Sequence, residues 1–384
     1  MMKIFKTIWA MVLVAISLQI TAAQNPPIQQ EAEHYGDIDV SRPDIQVPRS
    51  VKPLFDTWLR DTYATLGPDG YYYLTGTYKM PDRPTAFDDS PGIPLWRSTD
   101  LKEWEYRGLV LDLYTTDFWQ KDHYFDQKRK KKVDLNGNPV KQKRRTAWAP
   151  EIHYLKSQKN YFVVACTPEN PNGRGTYILR STSGKPEGPY ENIEANKEGP
   201  MFNNIDGSLF EDEDGTVYFV GHNHYIAKMK PDMSGLAEKL KRIEQSKYKA
   251  EPYIEGAFML KAFGKYHLIQ AIWSLKLPDG SFMYRNKHKA ESFKDGKKQR
   301  VKQYSYDLVI ATSDSPYGPF GRRYTSAIGA GHNNLFKDKE GRWWATMFGN
   351  PKGTLDRPFI ARPAIIPMRV VESKFYPDHE YKLK

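Results

Sequence analysis

Cysteine is nearly absent: Cys166 is the single one in 384 residues. An internal disulfide is excluded, and the strand-like surroundings YFVVACT make this thiol a small buried apolar group. Long apolar runs are missing after the first twenty residues, so no later segment offers a membrane span. Acidic residues are in deficit, 46 against 57 Lys and Arg, for a formal charge of +11. That balance alone fits nucleic acid, an anionic polysaccharide or no specific partner. Much of it is local, because ten Lys and Arg against three Asp lie between Lys121 and Arg145, concentrated in KRKKK (128–132) and KQKRR (141–145). Charge runs are usually solvated loops, so the stretch at about 114–145 reads as a basic insertion.

The amino terminus carries Lys3 and Lys6, then a mostly apolar run from Ile8 to Ile20, then the small residues Thr21-Ala22-Ala23 before Gln24. This is the pattern of a secretory signal peptide over residues 1–23. The run is short for a membrane span, which makes an uncleaved anchor the weaker reading. Export to the periplasm or the exterior follows, and it argues against a nucleic-acid partner. Residues 24–50 are polar and contain proline, and read as an extended leader to one large domain over 51–384.

That domain is repetitive. LGPDGYYYLTG (66–76), LKSQKNYFVVA (155–165), FEDEDGTVYFVG (210–221), LKAFGKYHLIQA (260–271) and FKDKEGRWWATM (336–347) each place a polar turn between an apolar strand end and an aromatic-rich strand. IPLWRSTDLKEW (93–104), YILRSTSGKPEGPY (177–190) and LVIATSDSPYGPF (308–320) repeat a further strand and Ser-rich turn, with degenerate copies at 226–236 and 359–368. Five four-stranded antiparallel units around an axis predict an all-β fold, a five-bladed β-propeller. Helix should be scarce, its best candidate being SGLAEKLKRI (234–243). Asp212, Glu213 and Asp214 fall on a hairpin turn and Glu211 reads as a solvated strand end. The oxygen ligands of a calcium loop are lacking after Gly215, where Val217, Phe219 and Val220 stand instead.

Counting back twelve residues from an aromatic of each second strand gives Asp61 from Tyr73, Ala149 from Tyr161, Asp206 from Tyr218 and His332 from Trp344. In the fourth copy, whose turn is tighter, eleven back from Tyr266 gives Glu255. In a propeller such positions ring the mouth of a central channel. Carboxylates gathered there push their pKa values apart, which glycosidic hydrolysis requires: one group protonates the leaving oxygen while the other activates water or attacks the sugar. The plainer reading, in which each acid pairs with an arginine or caps a strand end, holds better for one Asp than for three at matched places.

RDTY at Asp61, IPLWRSTDLKEW, WAPEI at Trp148, IDGSLFEDEDG at Asp206, EGAFMLK at Glu255 and AGHNNLF at His332 together resemble glycoside hydrolase family 43, in order and spread. The resemblance implies a five-bladed propeller that removes terminal furanose or pentose units, arabinofuranosidase-like, from plant-type polysaccharides with inversion. β-D-Galactofuranosidase or β-xylosidase activity on the same fold is the alternative. It implies Asp61 as general base, Glu255 as general acid and Asp206 as the residue that orients the acid and holds its pKa up, with the base and acid about 6.5–9.5 Å apart. His332 matches a channel histidine that in some relatives helps hold a metal ion, such as a structural calcium, or an ordered water. A neutral hydrogen-bonded imidazole is the competing reading, and no cofactor is required. The family pattern has proline where Thr62 stands and EGP where Glu255-Gly256-Ala257 stands, and Asp56 is a rival base outside the twelve-residue offset.

Sugars also bind aromatic platforms and polar tips. Trp148, followed by Ala149-Pro150, is the first candidate for a wall of the sugar site, with Phe87 and Trp273 behind it and Arg285 and Arg357 as hydroxyl partners. The implied partner is an oligosaccharide or polysaccharide, met by a monomer, with the insertion closing one end of the channel for exo-action. The WMNDPNG-like block of sucrose- and fructan-splitting propellers is missing, and Ser98–Trp104 lacks the glycine of a sialidase Asp-box. A propeller that binds sugar without cleaving it remains the rival of a different class; retention of all three acids argues against it.

Overall fold

The computed structural model describes residues 45–79, 90–122, 124–125, 144–167, 175–222, 224–243, 254–276, 282–284, 291–294, 297–300, 305–321, 323–349 and 361–381. They form five antiparallel four-stranded blades. Blade one is Leu59–Leu66, Tyr72–Tyr78, Gly92–Ser98 and Glu105–Asp112; blade two is Trp148–Leu155, Asn160–Thr167, Gly175–Ser181 and Tyr190–Asn192. Blade three is Ser208–Glu211, Val217–Gly221, Tyr225–Lys228 and Lys241–Arg242. Blade four is Ile254–Ala262, Lys265–Lys276, Ser305–Ser313 and Tyr324–Ala327, with Phe282–Tyr284 paired to the far end of its second strand. Blade five is Leu335–Lys337, Trp343–Phe348, Pro363–Val371 and Lys374–Pro377.

Packing explains the hydropathy of the strands. The second strands are covered on both faces by neighbouring blades, so Tyr72–Tyr78 and Asn160–Thr167 are buried almost throughout and do not alternate. The fourth strands of blades one and three meet water: Glu105–Asp112 starts exposed and Lys241–Arg242 is exposed. The core is accordingly a set of layers between blades. Phe162, Val164 and Ile178 of blade two meet Leu209, Phe219 and Met229 of blade three, Phe210 and Val220 meet Met259 and Leu268 of blade four, and Leu59, Leu74 and Trp96 of blade one meet Phe336, Trp344 and Ile365 of blade five. Each such large side chain contributes about 1.5–3 kcal/mol by leaving water.

Each blade takes its four strands in chain order from one stretch of sequence, with Phe282–Tyr284 and the hairpin Glu291–Lys294 and Lys297–Arg300 inserted in blade four, so no blade mixes strands from the two ends of the described chain. Backbone bonds from Leu54 N–H to Pro363 O (2.8 Å) and from Leu59 N–H to Ala361 O (2.9 Å) join blades one and five. The Asn334 amide completes the seam, accepting from Ala64 N–H (2.9 Å) and donating to Ala64 O (2.7 Å), while Thr346 Oγ1 donates to Thr62 O (2.6 Å). The described end of the leader lies between blades four and five: Ile45 is fully buried with Ile328 and Tyr376, and its carbonyl accepts Ile328 N–H.

Two local expectations change. Residues 234–243 are not helical, because Lys241–Arg242 forms the outer strand of blade three; the named helical segments among the described residues are the 3-10 turns Trp119–Asp122 and Glu194–Asn196. No described helix is long and apolar enough to cross a membrane. Glu211 is not a free strand end, since its carboxylate accepts Lys156 N–H (2.7 Å) and Ser157 N–H (2.6 Å) from the turn of blade two. Asp212 to Asp214 do shape a turn, closed by Gly215 N–H on Asp212 O with Gly215 at φ 82°; Asp212 also bonds Lys261 and Tyr266 of blade four.

Replacing Asn334 by Ala leaves a buried N–H and C=O of Ala64 unsatisfied. The expected cost is about 2–4 kcal/mol in urea unfolding. A loss under about 1 kcal/mol would mean that backbone pairing alone seals the ring.

Candidate active site at the channel mouth

One backbone feature recurs where each inner strand begins. Asp61, Ala149, Asp206, Gly256 and His332 all have positive φ, between 43° and 70°. Left-handed backbone costs a residue with a Cβ roughly 1–2 kcal/mol, so its recurrence at non-glycine positions marks places that the surrounding structure over-determines. In blades one, two and four the pairing register shifts there, between Arg60 and Tyr63, Trp148 and Glu151, and Glu255 and Phe258. A bulge of this kind bends the strand and re-aims the side chain beside it.

The pairing also corrects the count. Blade four turns in two residues, Phe263-Gly264, both at positive φ as a tight hairpin requires, and the count of eleven already allowed for that. It lands one residue early because Tyr266, paired with Lys261, stands where Tyr72 pairs with Leu66, one place before the equivalent of Tyr73. Gly256 is the equivalent of Asp61 and Asp206, and Glu255 matches Arg60 and Trp148, the residues before the left-handed position. Glu255 therefore belongs to the mouth from a neighbouring backbone position.

The side chains meet around His332. Its Nδ1 lies 3.5 Å from Asp61 Oδ1 and 3.5 Å from the Tyr306 hydroxyl. The other Asp61 oxygen, Oδ2, accepts from Thr77 Oγ1 at 2.7 Å. Asp206 Oδ2 accepts Gly256 N–H at 3.1 Å and lies 3.5 Å from His222 Nδ1. The backbone of the Glu255-Gly256 pair is thus tied directly to Asp206, and Gly256 packs on the His332 ring. Deeper in the channel a second chain runs from Ser208 Oγ to Glu151 Oε2 (2.5 Å), to His153 Nε2 (2.7 Å) and from His153 Nδ1 to the Tyr63 hydroxyl (3.0 Å). At the turn end of the blades, Tyr63, His153, Phe210, Phe258 and Glu211 line a cavity of about 900 Å³ that holds none of the three candidate acids.

Charge follows from this geometry. Burial alone would lower the His332 pKa, but the carboxylates of Asp61, Asp206, Glu255 and Glu151 outweigh it and raise the imidazole above 6.5. Burial would raise Asp206, yet the charge of His332, the His222 hydrogen bond and the Gly256 N–H bring it down to about 2. Tyr306 is pushed well above 10, by burial first and then by Glu255, Asp61 and Asp206. At neutral pH the mouth thus combines an ionised Asp206 and a neutral phenol with a histidine biased toward its cation.

The other candidates divide. Trp148 starts the inner strand of blade two at the place Glu255 occupies in blade four, and its carbonyl accepts from the Cys166 thiol at 3.3 Å. Trp273 pairs with Tyr306 in blade four. Phe87, Arg285 and Arg357 lie outside the described residues. Asp56 is almost fully exposed and paired with Arg362 at 2.5 Å. Among the described residues no three His, Cys, Asp or Glu side chains are arranged to hold a metal ion, and Nδ1 of His332 faces Asp61 and Tyr306. Thr77, Glu151, His222 and Tyr306 were missed by sequence reasoning. Glu151 stands inside WAPEI and carried a signal; Thr77 and His222 gain meaning only from cross-strand pairing.

The family model of glycosyl hydrolases family 43 matches residues 51–366. This chain belongs to that family. A match among curated proteins is a β-D-galactofuranosidase of Aspergillus niger, 26% identical over 308 residues, covering 74% of this chain and 72% of the relative. Among solved structures, a GH43 protein of Bacillus licheniformis is 19% identical with a TM-score of 0.56, covering 87% of this chain and 57% of its own, so this chain spans little more than half its length. An endo-arabinase of Bacteroides thetaiotaomicron is 20% identical with a TM-score of 0.54, covering 86% and 99%. These structures share the family 43 fold. Family membership makes the chain a glycosidase, and its substrate class is carbohydrate.

Folding lowers the Asp206 carboxyl from 3.8 to about 2, so the unfolded chain takes up this proton first. The stability it contributes is complete above about pH 4 and is lost as pH falls toward 2, a contribution of roughly 2 kcal/mol. Asp206→Asn should flatten the acid limb of stability against pH by about one proton, measured by urea unfolding between pH 2 and 5. An unchanged slope would place the shift on another group.

Proposed function

We propose that the protein is an exo-acting, inverting glycosidase that removes terminal furanose units, α-L-arabinofuranosidase-like, with Asp61 as base, Glu255 as acid and Asp206 as orienting residue. The observation that supports this most is the gathering of three carboxylates from blades one, three and four about one histidine of blade five. Glu255 gives its proton to the glycosidic oxygen as the carbon–oxygen bond breaks. Asp61 takes a proton from a water that attacks the opposite face of the sugar, so the anomeric configuration inverts. Asp206, ionised and bonded to Gly256 N–H, holds the peptide that carries Glu255 and supplies negative charge to the oxocarbenium-like transition state. Trp148 is proposed as a wall of the sugar site, and a basic insertion over residues 114–145 as the feature closing one end.

A second reading has a specific support: the curated relative is a β-D-galactofuranosidase. The two substrates share the configuration of the furanose ring and differ in the exocyclic chain at C4, so one pocket can accept either if it has room there. Export is proposed from residues 1–23, and sequencing the amino terminus of the secreted protein should begin at Gln24; retention of the first 23 residues would overturn it.

The test uses the roles. Asp61→Asn and Glu255→Gln should each lower kcat/KM on p-nitrophenyl arabinofuranoside or galactofuranoside by about 10²–10⁴. A more reactive leaving group needs less protonation, so a dinitrophenyl glycoside should recover much of the Glu255→Gln loss and none of the Asp61→Asn loss. NMR of the first product should show the inverted anomer. Wild-type rates in both variants, or a retained anomer, would end this assignment.

A further inference from the structure

We propose that Thr77 is the positioning residue for Asp61, fixing the plane of its carboxylate by clasping it to the neighbouring blade. This rests on the assignment of Asp61 as base. A hydroxyl has one hydrogen and two acceptor lone pairs. Here Thr77 Oγ1 accepts Ala149 N–H of blade two at 2.8 Å, a donor that cannot reverse its role, and its own hydrogen goes to Asp61 Oδ2 at 2.7 Å. Thr77 is fully buried, so water does not compete for either bond. The remaining oxygen, Oδ1, faces His332. The base is thereby gripped from blade one at one oxygen and from blade five at the other, which leaves its carboxylate plane no free rotation.

The same ladder position in the other blades carries the argument further. Thr77 pairs with Arg60, just before the left-handed residue; its counterparts are Cys166, paired with Trp148, and Ala271, paired with Glu255. In blade three, where Ser208 pairs with Val220, counting on past the same bulge reaches His222. Blades one and three have an acid in the left-handed place, and both carry a polar side chain at this position beside it: Thr77, which donates to Asp61, and His222, whose Nδ1 lies 3.5 Å from Asp206 Oδ2. Blades two and four have Ala149 and Gly256 there, and carry Cys166 and Ala271. The link to the next blade also recurs. Ala149 N–H is taken by Thr77 Oγ1, and Gly256 N–H by Asp206 Oδ2. Packing would favour an apolar residue at such a fully buried site; the hydroxyl coincides with the acid it holds.

The experiment compares Thr77→Val, Thr77→Ser and Asp61→Asn in the full mature protein, with kcat and KM on p-nitrophenyl arabinofuranoside and thermal unfolding for each. Misplacing a reacting group by about 1 Å can cost 10²-fold, so Thr77→Val should lower kcat by about 10–100-fold with KM within about twofold. Thr77→Ser, which keeps the hydroxyl, should stay within about threefold of wild type in kcat. If the valine variant does not fold, Thr77→Ala, which leaves space for a water on Ala149 N–H, is read in its place. Wild-type kcat in the valine or alanine variant beside an inactive Asp61→Asn would overturn this inference alone. A serine variant as slow as the valine one would overturn it too, by assigning the effect to the methyl group. An active Asp61→Asn would remove the base assignment and the inference with it.

Discussion

The mouth of this propeller depends on a strained backbone position repeated five times. At the start of each inner strand one residue is held in the left-handed region, and in three blades the pairing register slips beside it. A flat antiparallel ladder would carry successive side chains to alternate faces and give the axis no special residue. The bulge breaks that alternation at one level. Asp61, Asp206 and His332 occupy the strained place itself, and Glu255 stands one residue before it, so side chains from four blades are brought to one height.

Strain of this kind persists only where neighbouring structure resists its relaxation, and the resistance comes from between the blades. The layers of Phe, Tyr, Leu and Val that separate adjacent sheets form the core, and hydrogen bonds from one blade to the next take the amides of Ala149 and Gly256. Stability and site geometry therefore share one source. The ring has to close for the mouth to exist, and it closes through the Leu54 and Leu59 backbone bonds, Asn334 and Thr346.

Gathering four carboxylates in a buried channel would be unfavourable without a compensating charge. His332 supplies it, and the effect is mutual: the acids raise the imidazole, and the imidazole keeps Asp206 ionised. This arrangement gives a family 43 chain fixed negative charge at the mouth of its channel.

Much of the fold was legible in the chain. Five hairpins of one grammar, each turn marked by Gly or Asn and followed by aromatic residues, carry local information that no distant contact needs to supply, and they led to five blades. Asp61, Asp206 and His332 fell to a constant offset because their hairpins have equal length. The count slipped by one at Glu255, since Tyr266 stands at the ladder place of Tyr72 and not of Tyr73, which only pairing reveals. Residues 234–243 read as helical because their propensities are local, and the edge of blade three made a strand of their end. Thr77, His222 and Tyr306 were invisible in one dimension: their meaning lies in which carboxylate stands across from them, and that was decided by the closing of the ring.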